Sequence, residues 1–387
     1  MGENRLMTIN WKPEPIMVRG HGSWLWDDAG RRYLDFVQGW GVNALGHAPR
    51  AIEQALTRQS ARLLTPSPAF HNAPQLALAC ALTDLCSLDR VFFGNSGAEV
   101  NEGAIKLARK WGQRNRGGAC EIVTTQGAFH GRTLATMAAS GKPGWDGLFA
   151  PPVPGFCRVP FGNVAAVASA ITAETVAVMV EPIQGEAGVV VAPEGYLREL
   201  RDLTRQRGVL LMLDEVQTGM ARTGPLFAHQ ACGIEPDVMT LGKGLGGGVP
   251  LAGLLAREEV CCFEPGDQGG TYNGNPLMTA VGLAVLHELS EPGFVRARAG
   301  CARALRDGLE DLAARSGGSE VRGRGFLLAL KLPDPIASSV VSACFERGLL
   351  LNAPRPELIR FMPALSVSSG EVDTMLEILS EALREVR

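Results

Sequence analysis

The sequence predicts an α/β protein with a large domain on a mostly parallel sheet and a smaller α+β domain built from the N- and C-terminal segments. Three observations carry this. At 387 residues the chain exceeds what one compact core usually organises. Short apolar, β-rich runs alternate with helix-like stretches through its middle, as βαβ units do. Several of those runs lack any polar alternation, as strands covered on both faces do.

Taken in order, the first fifty residues differ from the rest of the chain. GSWLWDDAGRRYLDFVQGW reads as a hairpin turned at Asp28, Ala29 and Gly30. The central runs are Arg90 to Phe93, Glu121 to Thr124, Thr175 to Val180, Val209 to Leu213, Val238 to Leu241 and Leu251 to Ala256. After about residue 280 the chain becomes helix-rich, with RGRGFLLALKL as a strand candidate. The predicted division is therefore 1–50, 51–278 and 279–387. No internal repeat or low-complexity tract interrupts it.

Composition narrows the function. Hydrophobic residues make up 46% and charged residues 20%, a globular balance without an acidic or basic tail. A net charge of -3 argues against a nucleic-acid partner and for a small molecule. The nine cysteines show no CxxC pair and no zinc spacing, so no metal is expected. MGENRLMTIN lacks the apolar core of a signal peptide, being interrupted by Glu3, Asn4 and Arg5. No run reaches the roughly 18 apolar residues that span a bilayer, so the expectation is a cytoplasmic protein with no membrane partner.

In VFFGNSGAEVNEGAIKLARKW a strand gives way to a helix whose apolar face carries Val100, Ala104, Leu107, Ala108 and Trp111. Ser96 and Glu99 spell a capping box, which sets the helix N-terminus at Ser96, Gly97 and Ala98. Free N–H groups and the helix dipole there favour a phosphate, and Gly97 lets it approach the backbone. By itself the segment reads more readily as an ordinary capped helix, because capping boxes are common and most hold no ligand. Gly94-Asn95-Ser96-Gly97-Ala98 also approximates a nucleophile elbow, and Asp214 with His229 or His287 would complete a Ser, Asp, His order. A serine hydrolase using Ser96 therefore stays open, although Ala98 replaces the last glycine of that motif.

GVLLMLDEVQTG is a buried strand ending in Asp214 and Glu215, at the sheet edge where open α/β folds bind ligands. About one βαβ repeat further on, DVMTLGKGLGGG ends a second apolar strand at Lys243. Both groups should face one crevice. Partial desolvation would favour the neutral amine of Lys243, which can condense with an aldehyde. A nearby carboxylate can keep a pyridine nitrogen protonated, so that the ring accepts electrons. A Walker A loop is excluded because Asp237 and Gly244 stand where it needs glycine and Ser or Thr. Gly39-Trp40-Gly41-Val42-Asn43-Ala44 matches a dinucleotide fingerprint in spelling only, because no helical pattern comes after it.

The motifs NSGAEVNEGAIKLAR, GAFHGRTLATMAASG, VEPIQGEAGV, LDEVQTGMARTG, PDVMTLGKGLGGGVPLAG and GGTYNGNPL, in this order, resemble the class III aminotransferases, and within them most closely the acetylornithine aminotransferases. The resemblance covers roughly residues 14 to 380. It implies a fold-type-I enzyme that binds pyridoxal 5'-phosphate (PLP) and works as a homodimer with shared active sites. It also implies an amino-acid donor and 2-oxoglutarate as acceptor. The donor it favours is N2-acetylornithine, with ornithine, succinylornithine and 4-aminobutyrate as alternatives.

Residue by residue, the resemblance implies that Lys243 holds PLP as a Schiff base and shuttles a proton, while Asp214 pairs with the pyridinium. Gln217 would bond the ring hydroxyl. Phe129 would stack on the ring, with His130 beside it. Ser96, Gly97 and Ala98 would receive the phosphate, joined by Thr271 from the other subunit. Arg132 would grip the substrate carboxylate, for which a planar fork suits better than lysine. Arg360 would bind a second carboxylate and pair with Glu186 when the donor lacks one. Three positions depart from the family: Ala48 within Gly46-His47-Ala48-Pro49-Arg50, Ala221 where glycine is frequent, and Gly103 inside a helix, at a cost of about 1 kcal/mol unless close packing uses the missing side chain.

Overall fold

In the computed structural model, residues 5–10, 12–315 and 320–386 are described. Residues 1–4, 11, 316–319 and 387 lie outside the described residues, and with them Glu3 and Asn4 of the N-terminal reading.

A seven-stranded sheet forms the centre. From edge to edge its strands are Arg90–Gly94, Ala252–Ala256, Val238–Leu241, Leu210–Asp214, Thr175–Val180, Glu121–Thr125 and Phe156–Val159. Only Ala252–Ala256 runs antiparallel to its neighbours. The strands Thr175–Val180, Leu210–Asp214 and Val238–Leu241 are buried at every position, because helices cover both faces. Phe156–Val159 went unread in the sequence. It is an edge strand with an exposed Cys157, so it carries no continuous apolar run.

The helix Gly97–Asn115 packs Val100, Ala104, Leu107 and Ala108 on the sheet beside Val176, Met179 and Leu254. Each fully buried Val or Leu contributes about 1.5–3 kcal/mol. Ser96 Oγ accepts from Glu99 N at 3.3 Å, as predicted. The return bond of the capping box is redirected, however: Glu99 Oε2 accepts from Asn95 N at 2.7 Å instead of from Ser96 N. At Gly103 an added Cβ would lie 3.2 Å from both Gln268 Nε2 and Leu254 Cδ2, so close packing uses the missing side chain.

The predicted N-terminal hairpin pairs Trp24–Asp27 with Arg32–Asp35, and Met17–His21 adds a third strand. Asp27 Oδ1 accepts from Ala29 N and Arg31 N and so fastens the turn. Leu349–Leu350 joins Arg32–Asp35 in parallel, which brings the two ends of the chain into one sheet. RGRGFLLALKL is not one strand. It folds back on itself as Glu320–Arg324 and Leu327–Lys331, with Gly325 at φ 58° in the turn.

After Arg32–Asp35 the chain enters a left-handed stretch at Gln38, Gly39, Trp40 and Gly41, with φ of 48°, 59°, 68° and 75°. The glycine spelling there serves this turn. Ala48 and Ala221 also adopt positive φ, 47° and 64°, which at Ala221 explains why glycine is frequent there. No helix among the described residues is long and apolar enough to cross a membrane.

Candidate active site

Two neighbouring strand ends make the site. Leu210–Asp214 and Val238–Leu241 are parallel and place Asp214 opposite Thr240, so the chain beyond each emerges at one edge. Asp214 is only 3% exposed. Its Oδ2 accepts from Asn101 Nδ2 at 2.8 Å and pairs with His130 Nδ1 at 2.8 Å, while its Oδ1 accepts from Val216 N at 3.0 Å. Opposite an ionised carboxylate, His130 Nδ1 must carry the proton. Burial pushes the His130 pKa down, but the hydrogen bond and charge of Asp214 outweigh it and the net shift is upward. An ionised carboxylate offers about four acceptor positions, so three bonds leave Asp214 capacity for one more donor.

Asn101 fixes this geometry. Its Oδ1 accepts from Thr240 Oγ1 at 2.7 Å, and its Nδ2 also donates to the His130 carbonyl at 2.7 Å. The sequence reading passed over it. The available signal was a polar residue on the buried face of an amphipathic helix. Glu181 was passed over too, although it is a charge immediately after a wholly buried strand. It accepts from Phe129 N at 2.9 Å, and burial followed by the Asp214 charge pushes its pKa up to about 7.

Lys243 opens a short turn, Lys243–Leu245, at φ 42°. Such a left-handed conformation in a lysine costs on the order of 1–3 kcal/mol and persists only where the surroundings enforce it. Burial lowers the pKa of its amine, and Arg360 adds to the effect against Glu186, Asp214 and Glu181. The neutral amine is thereby favoured.

Lys243, Asp214 and Gln217 line one cavity of about 260 Å³ together with Gly97 and Ala98 at the helix start. Phe129, His130, Arg132 and Glu186 also line it, as do the two residues that the sequence reading passed over, Asn101 and Glu181. Ser96, which caps the helix, is not among the lining residues. At Gly97 the space of a Cβ is taken by Val216 Cγ1, 2.8 Å away, so this glycine answers to side-chain packing as well as to backbone approach. Thr271 is exposed on the loop before the helix Pro276–Ser290 and does not line the cavity.

Arg360, the partner of the cavity-lining Glu186, is 0% exposed. Its Nη1 donates to Glu186 Oε1 at 2.7 Å and to the Gly185 carbonyl at 3.0 Å, and its Nε donates to Asn352 Oδ1 at 2.9 Å. The Trp40 ring lies 5.5 Å from its guanidinium. Burial raises the Glu186 pKa, but Arg360 and Lys243 together hold it below the ordinary value. Arg132, on the loop after Phe129, is exposed and meets no carboxylate among the described residues.

The hydrolase alternative finds no support. Asp214 is engaged by His130, His229 Nδ1 sits 2.8 Å from Glu215 Oε1, and His287 is exposed on the helix Pro276–Ser290 in a different pocket, so neither His229 nor His287 meets Asp214 to form a relay to Ser96.

Several buried polar atoms lack protein partners: both amide atoms of Gln217, His130 Nε2 and Arg360 Nη2. Buried polar groups are ordinarily satisfied, so these positions suit a polar ligand. The helix start suits an anion, the spare acceptor of Asp214 a ring N–H, Gln217 a hydroxyl, and the Lys243 amine a carbonyl carbon. A phosphorylated, hydroxylated pyridine aldehyde combines all four.

A family model described as Aminotransferase class-III matches residues 10–383. The chain is 55% identical over 387 residues to acetylornithine aminotransferase 2 of Bordetella bronchiseptica, covering 99% of this chain and 98% of that one. It is similar to the crystal structure of N-acetylornithine aminotransferase from Stenotrophomonas maltophilia, with a TM-score of 0.85, 35% identity and 97% of each chain covered. It is also similar to an ornithine aminotransferase of Toxoplasma gondii, whose structure has partial occupancy of PLP at the active site. There the TM-score is 0.89 and the identity 32%, over 98% of this chain and 92% of the other.

Proposed function

From the premise that the chain belongs to the class III aminotransferases, we propose that it moves the terminal amino group of N2-acetylornithine to 2-oxoglutarate, with PLP as cofactor. The carrying observation is that the Asp214 carboxylate and the Lys243 amine line one cavity at neighbouring strand ends, with the unpartnered Gln217 amide and the anion-favouring helix start in the same wall. Bound there, PLP supplies an aldehyde to receive an amine and a ring that accepts electrons.

This chain's residues would do the rest. Lys243 Nζ would hold the cofactor through its aldehyde, and its amine would take and return the proton at the donor's reacting carbon. Asp214 keeps the ring nitrogen protonated, and Asn101 and His130 hold Asp214 in place. Gln217 would bond the ring hydroxyl, Phe129 would stack on the ring, and Gly97 and Ala98 at the helix start capped by Ser96 would receive the phosphate through backbone N–H groups. Arg132 receives the donor's carboxylate. Glu186 neutralises Arg360 while the donor is bound and yields it to the second carboxylate of 2-oxoglutarate.

We further take the enzyme to act as a cytoplasmic homodimer. Thr271, exposed and away from its own chain's cavity, would then serve the partner's phosphate site. The test is a panel of N2-acetylornithine, ornithine, succinylornithine and 4-aminobutyrate against 2-oxoglutarate, with glutamate formation followed, beside Lys243→Ala. Visible absorption and turnover that both vanish in the variant support the reading. A wild-type protein that takes up no PLP overturns it, and a faster rate with another donor reassigns the substrate.

A further inference from the structure

Arg132 receives the donor's carboxylate in the proposed function, and the inference here rests on that reading. What Arg132 does meet in the folded chain is an indole: its guanidinium carbon lies 5.4 Å from the centre of the Trp145 ring. Lys142 Nζ lies 5.1 Å from the centre of the same ring. Trp145 N donates to the Lys142 carbonyl at 3.3 Å and Leu148 N donates to the Trp145 carbonyl at 3.1 Å, so Trp145 sits between two successive backbone turns.

The ring itself is half-buried. It meets Phe129 edge-on with centroids 5.7 Å apart, and Leu134, Met137 and Phe149 line a small cleft with it. Phe129 is the residue assigned to the ring face, so the indole joins the cofactor side of the cavity to its carboxylate-reading side. A free arginine loses considerable rotamer freedom on gripping a ligand, and a cation held over an aromatic face has already lost part of it. Lys142 also acts on the far side of the pocket, where its charge helps keep Glu186 ionised.

We propose that Trp145 is a positioning residue for donor recognition, its indole holding Arg132 and Lys142 as a paired cationic rest for the donor's carboxylate. No bond is made or broken through it. Its effect falls on binding of a carboxylate-bearing donor and not on the proton transfer at Lys243.

The test uses the PLP-loaded full-length protein and compares Trp145→Leu, Trp145→Phe and Arg132→Ala. Donors are N2-acetylornithine and a primary amine of similar length that has no carboxylate. Trp145→Leu keeps apolar bulk and removes the π face. It should raise the KM for the carboxylate donor about five-fold with little change in kcat, visible spectrum or KM for the plain amine. Trp145→Phe should recover most of the loss.

An unchanged donor KM in Trp145→Leu, or an equal loss with the plain amine, overturns the inference. If Arg132→Ala leaves the donor KM unchanged, it is the reading of Arg132 that fails. Should Trp145→Leu not fold, Lys142→Met decides, with a KM rise of about two-fold confined to the carboxylate donor expected and no rise overturning.

Discussion

Arg360, wholly buried, donates to the Glu186 carboxylate at 2.7 Å, and the two residues stand 174 apart in the chain. The pair ties the C-terminal strand Leu358–Phe361 to the turn after Ile183–Gln184 and sets the charge of the pocket. A buried cation without its counter-charge costs far more than the pair contributes, because the neutral acceptors Gly185 and Asn352 offset only part of the desolvation.

Glu186→Gln should therefore destabilise the protein by about 3 kcal/mol, read from the denaturant midpoint. Its KM for 2-oxoglutarate should fall, since no side-chain carboxylate then competes for Arg360. The KM for a donor without a second carboxylate should rise. The folded-state pKa of Glu186 is lowered, so its stabilising contribution is present above the unfolded value of 4.5 and is lost as pH falls through the folded value. The difference in stability between wild type and Glu186→Gln should shrink in that acidic window.

His130 gives the opposite sign. Its folded-state pKa is raised above 6.5 by Asp214 despite burial, so its contribution is fully present below that pH and is lost as pH rises through the folded value. Thermal melts of the cofactor-free protein and of His130→Gln, run from pH 5.5 to 9 (roughly the imidazole range), should converge toward the alkaline end. Parallel curves would exclude the charged pair.

Gly185 lies flat against Gln217: a Cβ there would fall 1.5 Å from Gln217 Oε1. Gly185→Ala should push that amide off the cavity wall. We expect PLP affinity to fall about ten-fold, measured by absorbance titration of the cofactor-free protein. Unchanged affinity would remove Gln217 from the cofactor site.

Ala221 is buried at φ 64°, where only glycine is unstrained. Ala221→Gly should stabilise the fold by about 1 kcal/mol, read as a higher denaturant midpoint with an unchanged slope. A lower midpoint would mean that the methyl packs better than the backbone strains.

Much of this was legible in the sequence because it is local. Six of the seven central strands announce themselves as apolar runs, and the helix at Gly97 is marked by its cap and its apolar face. Asp214 and Lys243 stand out because each ends such a run. Phe156–Val159 escaped because an edge strand needs no continuous apolar stretch. The RGRGFLLALKL hairpin escaped because its turn depends on Gly325, whose positive φ is invisible in an apolar pattern.

The sequence by itself determined the residue types at the strand ends and the helix start, since periodicity, capping and apolar runs act over a few neighbouring residues. Tertiary structure alone decided what those residues meet. Asn101 reaches Asp214 from a helix and is itself held by Thr240 on the adjacent strand, and Trp145 lies against Arg132 through a loop. Glu186 and Arg360 pair across the chain, which no periodicity encodes: burial makes an unpaired charge too costly, and only the closed fold shows which partner is near enough to prevent it.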